Sequence, residues 1–232
     1  MMRTAIITLA LMVGVVYAAA PTKLKVHGIF SSNMVLQRGK PIKVWGWAKP
    51  GQAVSVQLGE EKKDATAADK TGRWEAEFPA REASGKPQTL TVVAGEEKAE
   101  MTNIVFGDVW VMFGQSNMAW GLQKTSGSDL ARLQSNLPML RHFRIKGNEQ
   151  LTLQEDIRSE AVVNDGWEVS TPETAPGFSA IGYHFGAILQ RSLNIPIGLI
   201  QSARGGASSG TRDNGIRPGI SCFNNSTNSG ST

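Results

Sequence analysis

Cysteine is nearly absent from this sequence, since Cys222 is the only one in 232 residues. A single cysteine excludes a disulfide within the chain, so the fold must depend on its apolar core. Its Ser-, Asn- and Gly-rich surroundings hold no basic neighbour to lower the thiol pKa, which argues against a thiol nucleophile. Basic side chains outnumber acidic ones only by 24 to 20, and no Lys/Arg run is long enough to follow a phosphate backbone. Nucleic acid is therefore not an expected partner.

Long apolar runs are also missing, apart from one at the N terminus. Arg3 precedes an apolar stretch over residues 5–16, and small residues at 18–20 come directly before Pro21. These are the three parts of a secretory signal, and the run is too short to span a bilayer. We predict a signal peptide over residues 1–20, a secreted or periplasmic location and no stable membrane span. A buried N-terminal helix or an uncleaved anchor is the alternative.

Residues 21–104 consist of short alternating runs separated by turn residues such as Asp69-Lys70-Thr71-Gly72. This alternation is typical of half-buried antiparallel strands. We therefore predict a β-sandwich domain here. Its candidate strands are 43–47, 53–58, 62–67, 73–78, 89–93 and 98–102.

Residues 105–206 have the pattern of an α/β unit. The apolar run 109–113 predicts a strand covered on both faces, a strand is possible at 140–145, and a second buried strand is predicted at 197–202. Between them, residues 178–193 predict a helix that leads into the last strand. This order is typical of a βαβ crossover.

The predicted helix has two kinds of surface. Large apolar residues lie on one side of it, namely Ile181, Phe185, Ile188 and Leu189. Gly182 and Gly186 are four residues apart and would let another backbone approach closely. We expect tight packing of this helix on a sheet.

The end of the sequence is polar and without period. Of residues 207–232, 17 of 26 are Ser, Thr, Asn or Gly. A segment of this composition cannot bury enough surface to order itself, so a disordered tail is predicted.

Ser116 is the candidate nucleophile. It follows a buried strand and Gly114, whose lack of a side chain permits a sharp turn. The carboxyl end of a parallel strand is where open α/β folds place their sites, and the start of a helix there would stabilise a developing oxyanion. An ordinary helix cap is the equal alternative, because Ser and Asn are preferred capping residues.

The wider motif set resembles a known family. Gly-Asp-Val-Trp at 107–110, followed by Gly-Gln-Ser-Asn-Met at 114–118, is similar to the signature of the sialate O-acetylesterase-like branch of the SGNH hydrolases. Segments 30–38 with 44–48, 176–185 and 197–201 resemble the same family, so the likeness covers roughly residues 24–206. It implies an α/β fold: an N-terminal β-sandwich followed by an incomplete SGNH (flavodoxin-like) three-layer parallel-sheet domain.

The same resemblance implies the chemistry. The reaction would be hydrolysis of an acetyl ester on a carbohydrate, with Ser116 as nucleophile, its own N–H as an oxyanion donor, and no metal or cofactor. Gly206, or less favourably Gly205, would supply a second oxyanion N–H, although a Gly-Gly pair after a strand is often only a turn. Acetylxylan is an alternative substrate to an acetylated sialic acid.

Two family blocks are missing after Gly206: a Gly-Glu-Ser-Asn-like loop and an Asp-x-x-His pair. The three histidines do not replace the base by pattern. His27 is predicted to be structural, the pKa of His142 should be lowered by a neighbouring cation, and His184 is predicted to pack beside the apolar helix face.

The sequence therefore predicts a truncated or frame-shifted esterase with weak or no activity. The alternative is a secreted carbohydrate-binding or interaction module without catalysis. In that case Trp45, Trp47 and Trp74 would offer aromatic faces to sugar, unless these tryptophans are simply buried.

Overall fold

The structure is a computed structural model that describes residues 22–147, 155–161 and 165–203. The predicted signal peptide, the polar tail, Cys222, Gly205 and Gly206 lie outside the described residues. The strands are β1 (Lys25–Val26), β2 (Val35–Gln37), β3 (Ile42–Trp47), β4 (Ala53–Leu58), β5 (Glu61–Thr66), β6 (Arg73–Phe78), β7 (Ser84–Ala94), β8 (Glu97–Gly114), β9 (Leu137–Arg144), β10 (Glu168–Ser170) and β11 (Ile197–Ala203). The α-helices are α1 (Ser116–Ala119), α2 (Ser128–Leu133) and α3 (Ala180–Leu193), and short 3₁₀ helices lie at Leu122–Lys124 and Ala175–Gly177.

The strands form two sheets in a mixed α/β fold. A small sheet has the order β1-β3-β6. The large sheet has the order β10-β9-β11-β8-β7-β4-β5, and β2 pairs with β8 beside this path. The β9, β11 and β8 strands are parallel, which confirms the parallel sheet expected from residues 105–206, whereas β8, β7, β4 and β5 pair antiparallel.

Strand β8 connects the two halves of the chain. Two predicted strands, 98–102 and 109–113, are parts of this one strand of 18 residues. Its first part pairs with β7, residues 105–107 pair with β2, and residues 108–114 pair with β11. Because a new partner takes over wherever the last one ends, the strand continues through the predicted boundary between residues 104 and 105.

The N-terminal β region, residues 22–107, has one apolar core shared by both sheets. Trp74, Phe78 and Leu58 are at most 1% exposed. The prediction of a tryptophan platform for sugar is wrong for two of its three members, because Trp45 and Trp74 are buried in this core. Trp47 is half-buried, and the Lys25 ammonium lies 5.5 Å from the centre of its ring.

Helix α3 packs on the parallel strands through its small residues. Ser179 is the N-cap of the helix, and its hydroxyl accepts a hydrogen bond from the Gly182 N–H at 3.1 Å. A side chain at Gly186 would meet the methyl ends of Leu140 and Leu199 at 2.7 Å, so the predicted close approach is confirmed. The large residues Ile181, Phe185 and Ile188 face outward, since the sheet is met by the opposite, small-residue face.

A buried arginine holds the two regions together. Arg141 of β9 donates to the Asn33 carbonyl at 3.0 Å and also to the Asn103 carbonyl. Burial lowers the pKa of Arg141 to about 10. At neutral pH the guanidinium therefore stays charged and satisfied by carbonyl oxygens of the N-terminal β region. In the described part of the chain, no helix has the length and apolar character needed to cross a bilayer.

Candidate active site

Gly114 makes the turn that presents Ser116. It is the last residue of β8, and its φ of 157° is one that residues with side chains rarely adopt. A Cβ on Gly114 would lie 2.8 Å from the Cβ of Met118. The absence of a side chain therefore lets the chain fold back directly into α1, whose first residue is Ser116.

The hydroxyl of Ser116 is not used as a helix cap. The residue in the capping position is Gln115, and no side chain caps α1. Ser116 is exposed, and among the described residues its hydroxyl has no hydrogen-bond partner. The ordinary-cap alternative is therefore wrong, and the Ser116 hydroxyl is open to a substrate.

Contacts with the start of α3 hold α1 in place. The Ser179 hydroxyl lies 3.7 Å from the sulfur of Met118 while it also caps α3. The Ala180 N–H donates to the carbonyl of Trp120 at 2.9 Å. One turn of helix has little stability by itself, so these contacts fix the position of Ser116.

Polar contacts join segments that the sequence shows only as separate motifs. Arg38 and Asp108 form a two-pronged ion pair with N–O distances of 2.8 and 3.1 Å. The side-chain carbonyl of Gln37 accepts from the Val109 N–H at 2.9 Å. The ion pair was not predicted from the sequence, although the opposite charges of Arg38 and Asp108, each within a motif segment, could have indicated it.

The second predicted oxyanion donor lies outside the described residues. Strand β11 ends at Ala203, which is in register with Gly114 of β8. The end of β11 at Ala203 therefore lies at the same edge of the sheet as Gly114, two residues before Ser116. For Gly206 itself the role in the oxyanion hole stays a prediction.

His142 is buried away from the solvent-exposed Ser116. Its ring stacks on Phe178 with centroids 4.4 Å apart, and its Nδ1 lies 3.9 Å from a carboxylate oxygen of Glu168. Burial, and to a lesser extent the charge of Arg144, lowers the pKa of His142 to about 3. The predicted direction is confirmed, but burial is the larger cause, and the contributing cation is Arg144 rather than the adjacent Arg141.

The other two histidines are also not paired with Ser116. His27 is buried beside Trp45, and burial lowers its pKa to about 4, in keeping with the predicted structural role. His184 lies beside the apolar residues of α3 as predicted, but that side of the helix is exposed, so the prediction of a packing role is wrong. Among the described residues no histidine forms a hydrogen bond with Ser116, and no cluster of His, Cys, Asp or Glu could hold a metal ion. The described site thus has a candidate nucleophile, Ser116, with no histidine bonded to it.

A shallow polar cleft lies beside α1. Its volume is about 350 Å³, and it is lined by Ala119, Gly121, Gln123, Lys124, Arg144, Glu173, Pro176 and Gly177. A second cleft of about 330 Å³ shares Gln123 and Pro176 with the first and continues to Asp129 and Arg132. Ala119 is three residues from Ser116 in α1, so both lie on the same side of that helix.

Known proteins similar to this chain are esterases. No protein-family model matches the sequence. Sialate O-acetylesterase from Homo sapiens is 29% identical over 191 residues, and the protein of that name from Mus musculus is 26% identical over 181 residues. These matches cover 76% and 70% of this chain, but 36% and 32% of the relatives.

A solved structure is similar as well. The crystal structure of a carbohydrate acetylesterase from Xanthomonas citri superposes with a TM-score of 0.72 at 31% identity. The match covers 79% of this chain and 41% of that one. The chain thus spans about a third of the length of the curated relatives and about two fifths of the solved structure that it matches.

Proposed function

We propose that this sialate O-acetylesterase-like chain carries the nucleophile side of a site that hydrolyses acetyl esters on carbohydrates. The observation that carries the proposal is the exposed, unpartnered hydroxyl of Ser116 at the carboxyl end of a parallel strand. Relatives with esterase names support the reaction class. An acetylated sialic acid and acetylated xylan are both retained as substrates.

In the proposed reaction the Ser116 oxygen attacks the acetyl carbonyl carbon. A tetrahedral oxyanion forms, and the Ser116 N–H at the start of α1 would donate to it, because the first N–H groups of a helix have no partner within the helix. The bond from carbon to the sugar oxygen then breaks, and the sugar takes up the proton that left Ser116. Water releases acetate from the serine in a second round of the same steps.

The described residues do not show a base that would carry this proton from Ser116 to the sugar oxygen. Removing the base of a serine hydrolase lowers turnover on the order of a millionfold, or ~8 kcal/mol of transition-state stabilisation. None of the described histidines is bonded to Ser116. We therefore propose that the chain by itself has weak or no esterase activity.

The proposed location is outside the cytoplasm, secreted or periplasmic. Support comes from Arg3, the apolar run at 5–16 and the small residues before Pro21. The proposed architecture is an N-terminal β-sandwich followed by part of an SGNH-type domain, and the core shared by the two sheets of the N-terminal β region supports it.

Hydrolysis of 4-nitrophenyl acetate by the purified chain tests the proposal. Ser116→Ala should remove whatever enzymatic rate the chain has, whereas Ser126→Ala, at an exposed turn serine, should leave it unchanged. Equal rates for the wild type, Ser116→Ala and Ser126→Ala would mean that Ser116 of this chain is not a working nucleophile.

A further inference from the structure

An aromatic side chain, Trp120, lies beside the first cleft and contacts Lys124 of its lining. Trp120 directly follows α1, and 50% of its surface is exposed. Its indole N–H donates to the Lys124 carbonyl at 3.1 Å, and the Lys124 ammonium lies 5.5 Å from the centre of the ring. The ring is therefore held in one orientation although it faces solvent. A fixed, exposed aromatic face suits the apolar face of a sugar ring.

Two cationic side chains that line the first cleft, Arg144 and Lys124, keep N–H groups to which a ligand could bind. Arg144 donates to the Gly177 carbonyl at 2.7 Å and to the Glu160 carbonyl through two nitrogens. These bonds use three of its five N–H groups, and the other two have no partner among the described residues. In the same part of the chain the Lys124 ammonium has no carboxylate within ion-pair distance.

Charge does not select an anionic ligand here. Glu173 lines the same cleft as Lys124 and Arg144, so acceptors and donors face the same space. Hydroxyl groups both donate and accept, and a neutral or weakly charged polyhydroxylated ring can satisfy such a mixed lining. Binding sites combine apolar faces with a few polar groups in this way.

The volumes of the two clefts and their position next to each other determine how many sugar rings they can hold. Each volume, about 350 and 330 Å³, is near the lower end of the roughly 300–1,000 Å³ typical of small-molecule sites. The shared residues Gln123 and Pro176 make the clefts neighbours, and the first cleft is also lined by Ala119 of α1. Two neighbouring clefts of this size offer space for more than one sugar ring.

We propose that Trp120 and the two clefts form a sugar-binding subsite for the rings that follow the acetylated one, so that the substrate class is an acetylated oligosaccharide. The assignment of the acetylated ring to Ser116 rests on the proposed function. Trp120 is a binding residue here and takes no part in the bond-making steps.

Binding without hydrolysis tests this proposal separately from the esterase activity. Xylotetraose, cellotetraose and 3′-sialyllactose, all without acetyl groups, are titrated calorimetrically into the full chain, beside xylose, glucose and N-acetylneuraminic acid. At least one oligosaccharide should bind about tenfold or more tightly than its single sugar. Trp120→Ala should weaken that binding about tenfold, Trp120→Phe should largely keep it, and Ser116→Ala should not change it.

Trp110→Ala is the matched control, because Trp110 is 36% exposed but its ring meets Phe185, which lines neither cleft, whereas Trp120 contacts Lys124 of the first cleft. Equal dissociation constants for Trp120→Ala and Trp110→Ala would overturn the subsite, as would the absence of binding by all three oligosaccharides in the folded chain. Trp120-dependent binding without Ser116-dependent hydrolysis would keep the subsite and remove the proposed esterase activity. Ser116-dependent hydrolysis without Trp120-dependent binding would do the reverse.

Discussion

The two regions of the chain differ in how completely they cover their apolar side chains. All nine large apolar residues that are markedly exposed among the described ones lie between Trp110 and Leu193. The N-terminal β region shows no such residue in its described part, and its core is continuous. Exposed apolar side chains that cluster are usually covered by another surface. The N-terminal β region therefore has its apolar residues covered, in a core that also includes Phe143, Trp167 and Ile200, whereas the α/β region offers apolar surface around its candidate site.

The open surface has a definite place in the fold. Among the described strands, residues 108–114 of β8 pair with β11 on one side and with no strand on the other. Trp110 lies on this part of β8 and meets Phe185 of α3 edge to face, with ring centroids 5.2 Å apart. An unpaired strand edge beside an apolar helix face is a natural position for a further strand and helix.

The largest predicted difference between the regions is the stability contribution of one tryptophan in each. Trp74→Ala should lower the free energy of unfolding by about 3–5 kcal/mol, because a fully buried aromatic side chain is replaced by a cavity. Trp110→Ala should lower it by about 1 kcal/mol, since only part of that ring is covered. Urea unfolding followed by circular dichroism measures both. Similar losses for the two variants would contradict the contrast between a closed and an open region.

Acid should affect both regions in the same way, since each contains one buried neutral histidine. His27 and His142 have folded-state pKa values of about 4 and about 3, below the value of about 6.5 for an unfolded chain. The unfolded state therefore binds more protons as the pH falls below 6.5, and the free energy of unfolding decreases. Each histidine should contribute a loss of about 3 kcal/mol between pH 6.5 and 4.

Urea midpoints at several pH values, with His27→Gln and His142→Gln as separate variants, test the acid response. Each substitution should remove about half of the slope of stability against pH, because Gln does not titrate. A slope that is unchanged in His142→Gln would show that the α/β region does not hold its histidine neutral.

The contact between the regions is sensitive to added volume. A side chain at Gly198 of β11 would lie 2.9 Å from the Cβ of Val35 and 3.1 Å from the ring of Trp167. Neither neighbour can move its contacting atom easily, so Gly198→Ala should cost about 1–3 kcal/mol of unfolding free energy. Gly85→Ala is the control, because the nearest atom there is the Met139 sulfur at 3.4 Å and the residue is exposed. Equal midpoints in urea would mean that the regions are not packed tightly here.

Sequence patterns predicted the elements of both regions better than their relation to each other. Strands 53–58 and 73–78 agree residue for residue, because alternation and turn residues mark both ends of each. The continuous strand β8 was not predicted, since its path depends on three successive partners, of which β2 and β11 are distant in sequence. Local patterns carry no information about which distant strand takes over the pairing.

The candidate site was predictable to a similar extent. The position of Ser116 after a strand and a glycine followed from local rules. Only the structure shows that the Ser116 hydroxyl does not cap α1. The small-residue face of α3 that meets the sheet was predicted from Gly182 and Gly186, whereas the exposure of the large apolar residues on its other side was not predicted. The platform at Trp120 had no periodic signal, because it depends on a loop contact with Lys124.

The smallest expected effect on stability comes from the open surface itself. Ile188 is 62% exposed on α3, so Ile188→Lys should change the free energy of unfolding by less than about 0.5 kcal/mol. The binding of an apolar dye such as ANS should nevertheless fall, since the substitution interrupts the apolar patch that includes Phe185. Thr66→Lys, at an exposed position of β5, is the control and should leave dye fluorescence unchanged. If both lysine variants gave the wild-type dye signal, the apolar surface of α3 would already be covered in solution. In that case the contrast between the regions would describe the isolated chain only, and its partner would be sought by measuring the oligomeric state.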